Sequence, residues 1–185
     1  RHVDAVNASH HRLANEIASK ADIAYVEKMS FHGLARKSKS AMKKADDRFR
    51  SRKRFGMSIS NHSPAAFLTI LGNRLASGGG ELIKIDTVNF RASQYNHVTD
   101  DYVRKKLSCR GSFVGSRYVQ RDLYSAFLLK NSNDTGTAAD RQKCIDTFPM
   151  FLITHNACMD ALLAENKKYP SSFGLRSYKY HKRNC

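Results

Sequence analysis

Helical and strand-like apolar patterns alternate along this chain, and that alternation predicts an α/β layered domain. Three segments carry the prediction. Val6, His10, Leu13, Ala14, Ile17 and Ala21 recur at three- and four-residue spacing, which predicts a helix over 6–21. Ile23-Ala24-Tyr25-Val26, ending at Glu27, reads as a short strand in which Glu27 shares a face with Ile23 and Tyr25. Glu81-Leu82-Ile83-Lys84-Ile85-Asp86 reads as a second strand, directly after a well-bounded helix.

That helix begins where Ser63 offers an N-cap and Pro64 suits the first helical position. Phe67, Ile70, Leu71 and Leu75 form its apolar stripe, and Gly78-Gly79-Gly80 ends it, because glycine accepts the left-handed C-cap conformation. The glycine run is no phosphate loop, since no Lys-Ser/Thr pair follows. Residues 91–118 are polar and irregular, with Tyr95, His97, Tyr102, Phe113 and Tyr118 set among Arg and Lys. A helix is expected from Val119 to Leu129, with Val119, Leu123, Ala126 and Phe127 on one face and Asp122 in its first turn. A final helix over roughly 140–165 contains Pro149, which should kink it, and a poorly ordered basic tail is expected from Lys167. Two strands are too few for a stable open sheet, so the remainder is expected from sequence before Arg1 or from a partner chain.

The 185 residues carry a net charge of +16, and that charge is unevenly placed. Residues 34–56 hold ten Lys/Arg against two Asp, and residues 167–185 hold six Lys/Arg and no acid. Together these stretches supply 14 of the 16 net charges. Clustered positive charge is the footprint of phosphate binding, driven by counterion release. A solvated loop or a membrane-surface patch is the plainer alternative. Lys37, Lys39, Lys43, Lys44, Arg48, Arg50, Arg52, Lys53 and Arg54 are the candidate nucleic-acid contacts, on a mobile loop or exposed arm.

No apolar run approaches the roughly 18 residues of a membrane span, and no secretory signal is legible. The chain opens on Arg1, which suggests a fragment or a processed chain. Cys109, Cys144, Cys158 and Cys185 contain no CxxC pair, so no zinc ribbon can be read. Free thiols in a reducing cytosol are expected, with Cys144 and Cys158 as core residues of a helix.

Two carboxylates stand out by position: Glu27 ends an apolar strand and Asp122 opens an amphipathic helix. Converging carboxylates suit metal-dependent phosphodiester cleavage, in which Mg²⁺ activates a water and stabilises the leaving oxygen. A solvated strand end and a dipole-compensating Asp would look the same in sequence. Tyr95 and Tyr102 could stack on unpaired bases, or could anchor the insert to the body. Asp86 reads as structural.

Ile23-Ala24-Tyr25-Val26-Glu27-Lys28-Met29 resembles the second RuvC motif of TnpB-type proteins, transposon-encoded RNA-guided DNA nucleases often described as OrfB-family transposases. Val119-Gln120-Arg121-Asp122-Leu123-Tyr124-Ser125-Ala126 resembles their third motif, and Phe90-Arg91-Ala92-Ser93 the Phe-x-x-Ser that opens their zinc-knuckle insert. The resemblance covers residues 1 to about 130. It implies an incomplete RNase H-like (RuvC) domain over 1–130 with its insert at 91–118, a helical extension over 131–166 and a basic tail over 167–185. It implies Glu27 and Asp122 as the second and third catalytic acids, holding Mg²⁺ or Mn²⁺, with DNA and guide RNA as partners in the cytoplasm beside the nucleoid. The family's first acid has no equivalent here, since Asp4 lies at the start of a helix; an upstream portion or a partner chain would supply it. Lys28 replaces a usual acid, Tyr124 a common Asn, and Asn96 and Thr99 stand where the first knuckle cysteines would fall, so no zinc is expected. The other class of function is a nuclease-inactive fragment or degenerate relative that binds DNA or RNA without cutting.

Overall fold

A computed structural model describes residues 2–35, 55–106, 108–165 and 167–183. The basic stretch proposed to grip nucleic acid, Lys37 to Arg54, lies outside the described residues. The protein is a mixed helix-and-strand structure, and it divides into two compact units, 1–24 with 29–83 and 25–28 with 84–185.

In the first unit, α1 (His2–Ala18) packs on α4 (Pro64–Ser77); β1 (Ile23–Glu27) follows α1 and passes into the second unit at Tyr25. Ala14, Leu71 and Leu75 are buried between them, and Ile17, Phe67, Ile70 and Leu82 close around them. α1 starts earlier than its apolar spacing suggests and stops at Ala18, so Ala21 falls outside it and Leu13 is half exposed. α2 (Phe31–Ala35) and α3 (Phe55–His62) flank the undescribed stretch.

Ser63 separates α3 from α4 in the left-handed region (φ 39°) and makes no side-chain cap; its hydroxyl donates instead to the Ser60 carbonyl at 3.0 Å. The expected Ser63 cap is therefore corrected. The following Pro64 disfavours the right-handed helical region for Ser63, which keeps it out of both helices. The C-terminal end of α4 is closed by the Gly78 and Gly80 N–H groups, which both donate to the Leu75 carbonyl at 2.9 Å. Gly80 must be glycine because the chain passes close to Asp22 there. A Cβ there would sit 2.0 Å from the Asp22 carbonyl oxygen, the acceptor of the Glu81 N–H that starts β2 (Glu81–Ile85). β1 and β2 pair, with Glu81 N–H to Asp22 O at one end and Lys28 N–H to Ile85 O at the other. Residue numbers rise together along that ladder, so the strands are parallel.

In the second unit, Asp86 accepts from the Val88 N–H and the Asn89 side chain, both at 2.9 Å, and so starts the short α5 (Thr87–Phe90). Its structural reading stands. The insert expected to be irregular contains β3 (Tyr95–Asn96) paired with β4 (Asp101–Tyr102), and then the hairpin β5 (Gly111–Val114) to β6 (Arg117–Gln120). The hairpin takes Val119 out of the expected helix. α6 begins at Arg121 and runs to Lys130; its buried side chains are Tyr124, Phe127, Leu128 and Leu129, while Ala126 is exposed. α7 (Arg141–Ala164) contains Pro149, and Asp140 caps it through the Lys143 N–H at 3.0 Å. The tail is ordered, contrary to expectation: α8 (Leu175–Arg183) packs on β6 and α7 and buries Tyr178. Lys182 of α8 pairs with Asp160 of α7 at 2.6 Å.

The core of this unit is aromatic. Phe127 lies 4.6 Å from Phe151, and the buried His97 ring lies 4.7 Å from Phe148, centroid to centroid. Tyr124, also buried, takes the His97 N–H on its oxygen at 3.2 Å, and that oxygen shares a second hydrogen bond of 2.7 Å with His97 Nδ1. The phenol oxygen has lone pairs enough to accept from both groups, so the ring tautomer decides which way the second bond runs. Burial, and then Arg141, lower the pKa of His97. Cys144 is buried and its thiol is pushed up to about 12, chiefly by burial, whereas Cys158 is exposed and not the core residue expected. Among the described residues no helix is long and apolar enough to cross a membrane.

Tyr124→Phe keeps the ring but strips the partner from two buried polar groups of His97. Such losses cost about 1–3 kcal/mol. Chemical denaturation of the variant should show a destabilisation of that order; unchanged stability would mean the pair contributes nothing.

Candidate functional site

Glu27 and Asp122 line one open cavity of about 690 Å³ in the second unit. β1 delivers Glu27 at its last residue, and the β6–α6 junction delivers Asp122 in the first turn of α6. Arg104, Lys105, Lys106 and Arg121 line the same cavity, with Ser93, Gln94 and Ser125. The sequence singled out the two acids; the cations that face them were not singled out. Arg104-Lys105-Lys106 is a legible charge run, but nothing local places it beside a strand end far away in sequence.

Asp122 is held from two sides. Arg121 Nε donates to Oδ1 at 3.1 Å, and Gln120 Nε2 approaches Oδ2 at 3.4 Å. The Asp122 side chain is still 60% exposed, whereas that of Arg121 is 16% exposed and also donates to the Cys109 carbonyl at 3.2 Å. The guanidinium is thus the fixed member and the carboxylate the available one. Lys105 is half-buried and donates to Ser112 Oγ at 3.1 Å. Burial lowers its pKa and the nearby Arg121 lowers it further, opposed by Asp101 and Cys109. An anion in the cavity would favour the charged form of that lysine.

Gln120 is the joint of the site. Its Oε1 accepts from the Leu123 N–H at 2.7 Å and caps α6. Its own N–H donates to His155 Nε2 of α7 at 2.9 Å. His155 is buried and must be neutral with its proton on Nδ1, where Asn156 Oδ1 accepts at 2.9 Å. Burial lowers its pKa, against smaller opposing effects of Asn156 and Asp160. Sequence reasoning missed both residues, because glutamine is no favoured N-cap and a lone histidine in a helix carries no signal of its partner.

Two carboxylates on a cavity wall suit Mg²⁺, which is commonly bound by one or two protein carboxylates plus water and phosphate oxygens. Among the described residues no group of three or more His, Cys, Asp or Glu is arranged to hold a metal. Of the two candidate stacking residues, Tyr95 is an anchor: it is buried and its hydroxyl donates to Asp100 at 2.8 Å. Tyr102 is partly exposed, with the Arg91 guanidinium 4.5 Å from its ring centre. No family model, curated protein or solved structure matches the chain.

His97 and His155 are both held neutral in the folded protein, with pKa values below that of the unfolded chain. The unfolded chain therefore binds more protons as pH falls below about 6.5, and stability drops in that direction. Thermal melting from pH 7.5 to 5.5 should show a falling midpoint; a flat profile would contradict the neutral, buried assignments.

Proposed function

We propose that the protein acts on nucleic acid as the C-terminal part of a RuvC-type, RNase H-like, metal-dependent DNA endonuclease of the RNA-guided TnpB kind. One observation carries the reading: Glu27 and Asp122, the two acids of the motif resemblance, line a single cavity with Arg104, Lys105, Lys106 and Arg121. Neither the motifs nor their spacing required that convergence.

The chain's own residues divide the work. Glu27 and Asp122 would hold the divalent cation, and the cavity's Arg and Lys side chains would bind and orient the phosphodiester. Bound Mg²⁺ or Mn²⁺ supplies charge neutralisation at the phosphate and an activated water. Arg121 donates to Asp122 and steadies it, and the Gln120 cap fixes the helix turn that bears it. DNA and guide RNA are the partners in this reading, and the family's first acid comes from sequence upstream or from a second chain.

The four cations against two carboxylates also favour a second reading, a binding module that holds nucleic acid without cutting. The two separate cleanly in a nuclease assay run beside a gel-shift titration. In a protein that carries the first acid, Glu27→Ala and Asp122→Ala should each lower Mg²⁺-dependent cleavage by at least about 100-fold, as loss of transition-state charge stabilisation does. Binding of the same oligonucleotide should survive largely intact. Undiminished cleavage by either variant would sink the catalytic assignment, and salt-sensitive binding with no cleavage by the parent would establish the binding module.

A further inference from the structure

We propose that the groove between the end of α7 and the start of α8 is a separate contact for single-stranded nucleic acid. It grips phosphates with Lys168, Arg176 and Lys179 and stacks a base on Tyr169. The groove is open, about 840 Å³ in volume, and lies wholly in the second unit. Arg110, Lys167, Lys168, Arg176 and Lys179 line it, and no carboxylate does so among its described lining residues.

Concentrating these charges is unfavourable unless something compensates them. Lys167 has a compensating partner in Glu165 at 2.9 Å. Lys168, Arg176 and Lys179 are exposed and form no ion pair among the described residues. Arg176 and Lys179 stand three apart on α8 and so share a face, where like charges repel. The neighbouring Lys182, by contrast, is neutralised by Asp160. The fold therefore pairs Lys167 and the outlying Lys182 and leaves Lys168, Arg176 and Lys179 to face a polyanion.

The backbone is shaped to bring them together. Gly174 is buried at φ 69°, and a Cβ there would meet the Arg110 Cβ at 3.0 Å and the Arg110 carbonyl at 3.2 Å. That close approach lets the turn before α8 settle on Arg110.

Aromatic rings identify the kind of polyanion. Tyr169 packs beside Phe173 with ring centres 5.3 Å apart, and Phe173 is 39% exposed. The Tyr169 hydroxyl donates to Glu165, which fixes the ring at the groove wall. Aromatic faces among basic side chains suit unpaired bases, whereas the bases of a duplex are already stacked on each other.

The test is fluorescence anisotropy of a labelled single-stranded oligothymidylate with the 185-residue chain, over a salt series. The triple variant Lys168→Gln, Arg176→Gln, Lys179→Gln should bind at least about tenfold more weakly near 0.1 M salt, and its salt slope should shrink by about 2. Tyr169→Ala should weaken binding roughly fivefold or more, and Tyr169→Phe should retain it. Circular dichroism checks folding; if the triple variant is unfolded, Arg176→Gln alone should lower the slope by about 0.7. Unchanged affinity and slope in the charge variants would overturn the proposal. So would a Tyr169→Ala loss that is equal for duplex and single strand, or a preference of the groove for anionic phospholipid vesicles over the oligonucleotide. Because Glu27→Ala and Asp122→Ala leave this groove intact, failure of the cleavage reading and failure of this one give different results.

Discussion

The hydrogen bond from the Gln120 N–H to His155 Nε2 is the constraint on which the second unit turns. Gln120 ends β6 opposite Gly111, and because the next amide, Arg121 N–H, returns to the Arg110 carbonyl, the Gln120 N–H points away from β5. A buried N–H left without a partner costs as much as a lost hydrogen bond, and α7 meets that need with a neutral imidazole. Once the junction is fixed, the Gln120 side chain is free to cap α6 and to approach Asp122. A histidine in one helix thus sets the position of a carboxylate in the first turn of another.

The same junction joins the two basic concavities of this unit. The Gln120 amide also reaches the Ser172 carbonyl at 3.4 Å, in the turn that precedes α8. The Arg110 carbonyl accepts from the Arg121 N–H at 3.0 Å, so one arginine on the groove and one on the cavity share a backbone contact. The concavities differ in chemistry. The cavity sets two acids among its cations, which suits work on a phosphodiester. The groove has cations and aromatic faces, which suit holding a strand.

Much of the fold was legible as local pattern. Residues 23–27 and 81–85 become strands because short apolar runs bounded by turn residues have few other options. α4 and α7 fall near their expected limits because Pro64, the glycine run and Asp140 act within one turn of the helix ends. The hairpin over 111–120 was missed because its strands are only four residues long and carry Arg, Ser and Gln among their apolar positions. The order of the tail was missed because α8 is polar overall; it is held by Tyr178, Lys182 and their partners on α7, which no local window contains.

The sequence by itself determined the concentration of positive charge, the strand that ends at Glu27 and the helix turn that bears Asp122. These depend on residue type and on neighbours a few positions away. Only the tertiary structure decided that Glu27 and Asp122 share a cavity, that Arg104, Lys105 and Lys106 face them, and that the basic tail becomes a packed helix with a groove beside it. Those outcomes are long-range, set by which buried polar groups find partners and which aromatic rings pack together. Chain spacing encodes neither, because a hydrogen bond between residues 120 and 155 leaves no periodic mark on either segment.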